Sequence, residues 1–181
     1  WVELTKLHGV ENRTLVSIDD IPKHVRDALI SIEDERFESH HGVDWKSTAK
    51  AILGKLTGTS TRGGSTITQQ VVKNMTGDNE VTIKRKVTEI FRALRLEKNY
   101  SKDEILETYL NLVYFGNGCS GIEAAAEGYF GKTVGELSIA EAASIVGITQ
   151  FPYKYDPSRG DWYREQNKER QLTVLYKMHE L

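Results

Sequence analysis

Apolar positions recur at three- and four-residue spacings along most of the chain, and that period predicts a mainly helical fold. Val25, Leu29 and Ile32 line one face of a first helix, opened at Asp19-Asp20-Ile21-Pro22 by an acidic cap and a proline in the first turn. Trp45, Ala49, Ile52, Leu53 and Leu56 form the stripe of a second helix over 44–56, and Gly58 to Gly64 reads as a polar loop. Thr66 and Gln69 stand at capping-box spacing ahead of a third helix. Ile83, Val87, Ile90 and Leu94 predict the inward face of a helix over 81–98. Ser101-Lys102-Asp103-Glu104 is another capping box, opening a helix that carries Ile105, Leu106, Tyr109 and Leu110. Gly116-Asn117-Gly118 and Gly121 break that helix, and further helices follow over 122–129, 138–149 (opened by Ser138 and Glu141) and 161–180. Residues 1–18 depart from the pattern. Val2, Leu4 and Leu7, then Thr14-Leu15-Val16-Ser17-Ile18, predict one or two short strands around a turn at Gly9 to Asn12.

A chain of 181 residues with this patterning forms one domain, over 1–160, with the 161–181 helix as an appendage. The net charge of −2 gives no global pull toward nucleic acid, so any anion site is local. A single cysteine, Cys119, excludes an internal disulfide framework and a cysteine zinc site. No apolar run approaches the roughly 18 residues of a membrane span, and no signal peptide is visible. The chain opens abruptly at Trp1 and stops mid-pattern at Glu180-Leu181, which reads as a piece cut from a longer protein.

Glu33 is the sharpest candidate for chemistry. It lies four residues after Leu29 and four before Phe37, at the edge of an apolar face, with Asp34 and Glu35 adding like charge. Desolvation and like charge both push a carboxyl pKa toward the range useful to a general base. The bland alternative is a helix-surface acid paired with Arg36 or His40. Glu89 stands among Arg85, Lys86 and Arg92, which is equally the pattern of an ordinary helix-surface ion-pair lattice. Lys84-Arg85-Lys86 near a helix start suits an anion or a solvated basic face. Gly63-Gly64-Ser65-Thr66 lacks the pattern of a nucleotide-binding P-loop, while Gln69, Gln70 and Lys73 follow along the next helix, where amides suit sugar hydroxyls or phosphate. The 44–56 helix carries Lys46, Lys50 and Lys55 beside its apolar stripe, which fits either an anionic bilayer surface or a core helix with exposed lysines. Adjacent His40 and His41 lack the spacing of a helical zinc pair.

Read together, these blocks resemble the family 51 glycosyltransferases, the peptidoglycan polymerases found alone or in class A penicillin-binding proteins. The carriers are Glu33-Asp34 with Phe37, His40 and Gly42; Gly63-Gly64-Ser65-Thr66-Ile67-Thr68-Gln69-Gln70 continued by Lys73-Asn74; Arg85-Lys86 with Glu89; and Lys102, Ile105, Leu106, Tyr109, Leu110 and Asn111. Gly116-Asn117-Gly118, Gly121 to Ala125 and Tyr129-Phe130-Gly131-Lys132 are also similar to family sequence. The resemblance implies a mainly α, lysozyme-like domain with a small membrane-facing jaw, and chain extension from lipid II with inversion, forming β-1,4 glycan and releasing undecaprenyl pyrophosphate. It implies Glu33 as base and Glu89 as an assisting catalytic group, either holding a divalent cation (Mg2+ or Mn2+) or orienting neighbouring cations; no organic cofactor is expected. Substrate contacts carried over from the motifs are Asp34, Phe37, His40, Gly64, Ser65, Thr66, Gln69, Gln70, Lys73, Asn74, Arg85 and Lys86, and membrane contacts fall on Trp45, Ile52, Leu53 and Leu56. The implied partners are lipid II, the nascent glycan strand, an anionic bilayer, the inhibitor moenomycin and other cell-wall synthesis proteins, at the outer face of the cell membrane. The 161–181 helix resembles the start of a connection to a transpeptidase domain. Thr149 and Phe151 in Gly147-Ile148-Thr149-Gln150-Phe151-Pro152 depart from the commoner Gly-Ile-Pro-Gln-Ala-Pro, Glu38 replaces a frequent aromatic, and Cys119 sits where cysteine is unusual. A lysozyme-like glycan-cleaving enzyme and a non-catalytic glycan-binding module are the competing readings.

Overall fold

The computed structural model describes residues 14–58, 63–78 and 80–181, apart from the side chains of Ile52, Lys55 and Leu56. Helices account for most of it: α1 Lys23–Glu33, α2 Trp45–Thr57, α3 Ile67–Thr76, α4 Ile83–Asn99, α5 Lys102–Leu112, α6 Ile122–Phe130, α7 Ile139–Ile148, the short α8 Pro152–Tyr155, and α9 Asp161–Glu180. The mainly α class read from the sequence holds. The strand expected over 2–7 lies outside the described residues. Thr14 to Ser17 pair with no strand among the described residues: the side-chain amide of Asn111 takes both backbone groups of Val16, receiving its N–H at 3.0 Å and donating to its carbonyl at 2.8 Å. A side chain thus does the work of a neighbouring strand.

Local chemistry explains most of the boundaries. The capping boxes expected at Thr66/Gln69, Ser101/Glu104 and Ser138/Glu141 all form. Asp44 caps α2 by accepting from the backbone of Lys46 and Ser47. The start of α1 differs from the acidic cap expected. Ile21, preceding Pro22, is held extended at φ −88, ψ 114, as a residue before proline prefers. Asp19 and Asp20 therefore close a separate 3-10 turn, Ile18–Asp20, and α1 begins after Pro22 without a side-chain cap.

The core gathers Val25, Leu29, Phe37, Ile67, Val71, Ile105, Tyr109, Leu110, Phe115, Ile122, Ile145 and Val174. α7 packs on α1 and α9, while α3 packs between α4 and α5. The orientation of α4 corrects the sequence reading. Ile83 and Val87 face outward, 85% and 45% exposed, and Phe91 continues the same stripe at 67%. Glu89 and Ala93, four residues apart, are the buried pair. The cause is backbone packing. Gly42, at φ +87, runs against α4 so closely that a Cβ there would stand 2.7 Å from the Ala93 carbonyl oxygen. That approach fixes the Ala93 side of α4 inward and leaves the Ile83–Phe91 side uncovered.

Candidate active site

Glu33 ends α1 at the wall of an open cleft of about 1450 Å³, lined also by Gly64, Ser65, Gln70, Lys73, Asn74, Tyr114 and Thr149. Its carboxylate is held at both oxygens. The side-chain amide of Gln70 donates to Oε2 at 2.9 Å, and the Thr149 hydroxyl lies 3.0 Å from Oε1. The partners weighed from sequence are engaged elsewhere. Arg36 forms a forked pair with Asp44 at 2.6–3.0 Å, and His40 binds Asp34 at 2.9 Å. Burial would raise the Asp44 carboxyl, but the hydrogen bonds from Arg36 and Ser47 hold it down at about 2.

Behind Gln70 lies Tyr109, fully buried on α5. Its hydroxyl donates to the Gln70 carbonyl oxygen at 3.2 Å, which turns the amide nitrogen toward Glu33. Burial, and then the charge of Glu33, push the Tyr109 phenol well above its ordinary range, so it remains a proton donor. Tyr109 and Thr149 are the site groups that sequence reasoning missed. Tyr109 reads as an apolar position of α5. Thr149 carried one signal, its departure from the commoner proline.

The motif residues divide into a framework and a cleft lining. Asp34 Oδ2 accepts from His40 and from the Ile67 backbone N–H at 3.0 Å, tying the end of α1 to the start of α3. Thr66 donates to the Gly42 carbonyl at 2.7 Å. Lys102 donates to the His40 carbonyl at 2.8 Å, pairs with Glu97 at 2.7 Å and lies 4.3 Å over the Phe37 ring. The motif blocks are thus knotted into one buried polar network. Phe37, Thr66 and Gln69, at 0–2% exposed, and His40, with 8% of its side chain exposed, are held inside this framework. Gly64 has a different role. A Cβ there would stand 2.7 Å from the Ala51 Cβ, so the glycine lets the 63–66 loop lie directly on α2.

Glu89 is 5% exposed and accepts from both Arg85, at 2.5 Å, and Lys86. Lys86 also donates to Ser65 Oγ at 2.8 Å, which connects this group to the rim of the main cleft. Arg85 and Glu89 line a smaller recess together with Lys73 and Arg92. Lys73 borders both hollows. Among the described residues no group of three or more His, Cys, Asp or Glu side chains converges as a metal site requires. Glu89 is the shared counter-ion of Arg85 and Lys86.

On α2, Trp45 and Leu53 are 60% and 63% exposed. Lys46 and Lys50 of the same helix line the cleft. No helix among the described residues is long and apolar enough to cross a membrane.

Comparison with known proteins agrees with this geometry. Residues 2–179 match the model of a family described as Transglycosylase. Penicillin-binding protein 1F of Bacillus subtilis is 46% identical over 171 residues, covering 94% of this chain and 24% of that protein. Penicillin-binding protein 1A of Clostridium perfringens is 45% identical over 183 residues, covering 94% of this chain and 26% of its own length. The chain therefore spans about a quarter of these relatives. The crystal structure of penicillin-binding protein 1A from Haemophilus influenzae superposes with a TM-score of 0.54 at 23% identity, over 94% of this chain and 16% of that one, and supports the fold.

Proposed function

Because this chain belongs to the transglycosylase family, we propose that it is a peptidoglycan glycosyltransferase that polymerises lipid II into β-1,4 glycan with inversion, releasing undecaprenyl pyrophosphate. The observation that carries the reading is the Glu33 carboxylate on an open cleft, steadied by the neutral donors Gln70 and Thr149 while Arg36 and His40 are paired elsewhere. Such a carboxylate is free to take a proton from the 4-hydroxyl of an acceptor sugar. As that oxygen bonds to the donor's anomeric carbon, the bond to the phosphate oxygen breaks and its electron pair leaves with the pyrophosphate. Lys73, Arg85 and Lys86 are the cations that meet the growing charge, with Glu89 holding the last two in place. Purified chain supplied with lipid II in detergent should release one undecaprenyl pyrophosphate for each glycosidic bond formed. Lipid II left intact under those conditions contradicts the proposal.

The substrate is lipid-linked, so the enzyme works at a bilayer. Trp45 and Leu53 on α2, and Ile83, Val87 and Phe91 on α4, supply exposed apolar side chains for insertion beside the lysines of α2. The double change Leu53→Ser and Phe91→Ser should weaken binding to anionic liposomes by about tenfold or more, given roughly 1.5–3 kcal/mol for burying each side chain. Because both are exposed, melting should barely move. Collapse of thermal stability with unchanged liposome binding would show that these side chains serve packing instead.

A further inference from the structure

The Thr149 hydroxyl has one proton and, besides the Tyr109 hydroxyl next to it, two acceptors within hydrogen-bond distance. It lies 3.0 Å from Glu33 Oε1 and 2.8 Å from the carbonyl oxygen of Val146, one turn back in α7. Gln70, on the other side of the carboxylate, has no such choice. Its carbonyl oxygen is held by Tyr109, so its amide nitrogen stays aimed at Oε2. The two supports of Glu33 therefore differ in kind, one fixed and one able to turn.

We propose that Thr149 is a positioning residue for Glu33, its hydroxyl bonding Oε1 while the carboxylate is charged and turning to the Val146 carbonyl once the carboxyl has taken a proton. The inference rests on Glu33 acting as the base in glycan polymerisation. A charged oxygen is the stronger acceptor, so before reaction the hydroxyl belongs to Glu33 and fixes its rotamer over the cleft. The acceptor sugar's hydroxyl proton then moves to Glu33, its oxygen bonds to the anomeric carbon, and the pyrophosphate leaves with the electron pair of the broken bond. The neutral carboxyl accepts more weakly, and the backbone carbonyl takes the Thr149 proton. No buried polar group is stranded at either stage, because both acceptors are already within reach. The position suits the task. Thr149 caps the end of α7, its own N–H bonding the same Val146 carbonyl at 3.2 Å, and so brings the terminus of a helix packed on α1 against the Glu33 carboxylate.

The test compares wild type, Thr149→Val and Thr149→Ser in lipid II polymerisation, with melting temperatures measured in parallel. Valine keeps the shape and removes the donor; serine keeps the donor. A misplaced reacting group costs up to about 100-fold, so Thr149→Val should lower kcat by roughly 10- to 100-fold with KM nearly unchanged, and Thr149→Ser should restore most of the rate. A merely structural role predicts that kcat follows melting temperature and that serine gives no rescue, and either result overturns the inference. Should Thr149→Val melt too early to assay, Thr149→Ala provides the same comparison. An active wild type with an unaffected valine variant removes the role of Thr149 and leaves the proposed function standing. An inactive wild type removes both.

Discussion

Glu33→Gln should fold normally and lose polymerisation by roughly 10²–10⁴-fold, the usual weight of a positioned general base. The substitution is nearly isosteric, and the site can absorb it. The new amide oxygen accepts from Gln70 as Oε2 does now, and the new amide nitrogen donates to the Thr149 oxygen once that hydroxyl turns to Val146. What is lost is the ability to take a proton. The Arg36–Asp44 ion pair and the His40–Asp34 hydrogen bond do not depend on Glu33, so melting should change little. Near-normal turnover by a folded Glu33→Gln variant would remove Glu33 from the chemistry.

Arg85→Ala should depress kcat at saturating lipid II by about 100-fold, the scale on which a single preorganised charge-stabilising donor acts. A leaving pyrophosphate gains charge as the glycosidic bond breaks, so a fixed cation favours the transition state over the ground state and the loss appears in kcat rather than KM. Glu89→Gln should act in the same direction and also lower the melting temperature. It leaves Arg85 and Lys86 side by side around a 5%-exposed neutral group, and because both cations keep some contact with water the cost should fall below the roughly 3–5 kcal/mol of a fully buried pair. The two variants thus separate by stability. Arg85→Ala still leaves Glu89 its bond to Lys86, whereas Glu89→Gln removes the shared counter-ion. A phosphoglycolipid inhibitor such as moenomycin should also bind more weakly to Arg85→Ala. Unchanged kcat and inhibitor affinity in folded variants would reduce these cations to a solvated helix face.

Local signals carried the helices well, because caps and period are written in neighbouring residues. Thr66/Gln69, Ser101/Glu104 and Ser138/Glu141 mark their helix starts without any tertiary help. The face of α4 was not legible. Its apolar residues at 83, 87, 90 and 94 read as a core stripe; Ile90 and Leu94 are half-buried, but the passage of Gly42 against Ala93 turns Ile83 and Val87 outward. Glu33 stood out by its edge position and its motif, and Gln70 by its motif, but nothing in the sequence ties Gln70 or Thr149 to Glu33. Gln70 lies 37 residues away and Thr149 lies 116 away, and neither spacing has a local pattern to betray it. The motif residues looked alike as letters. Burial separates them, with Phe37 and Gln69 in the framework and Gln70 and Lys73 on the cleft.

Product analysis decides whether this cleft builds glycan with Glu33 as its base. Wild type and Glu33→Gln are incubated in parallel with labelled lipid II and with preformed glycan strands, and the products are resolved by length. Polymerisation with Glu33 as base gives a ladder of lengthening strands from lipid II with wild type alone, and preformed strands left at full length by both proteins. Shortened strands from preformed glycan, with lipid II unconsumed, would contradict it and assign the same cleft to cleavage.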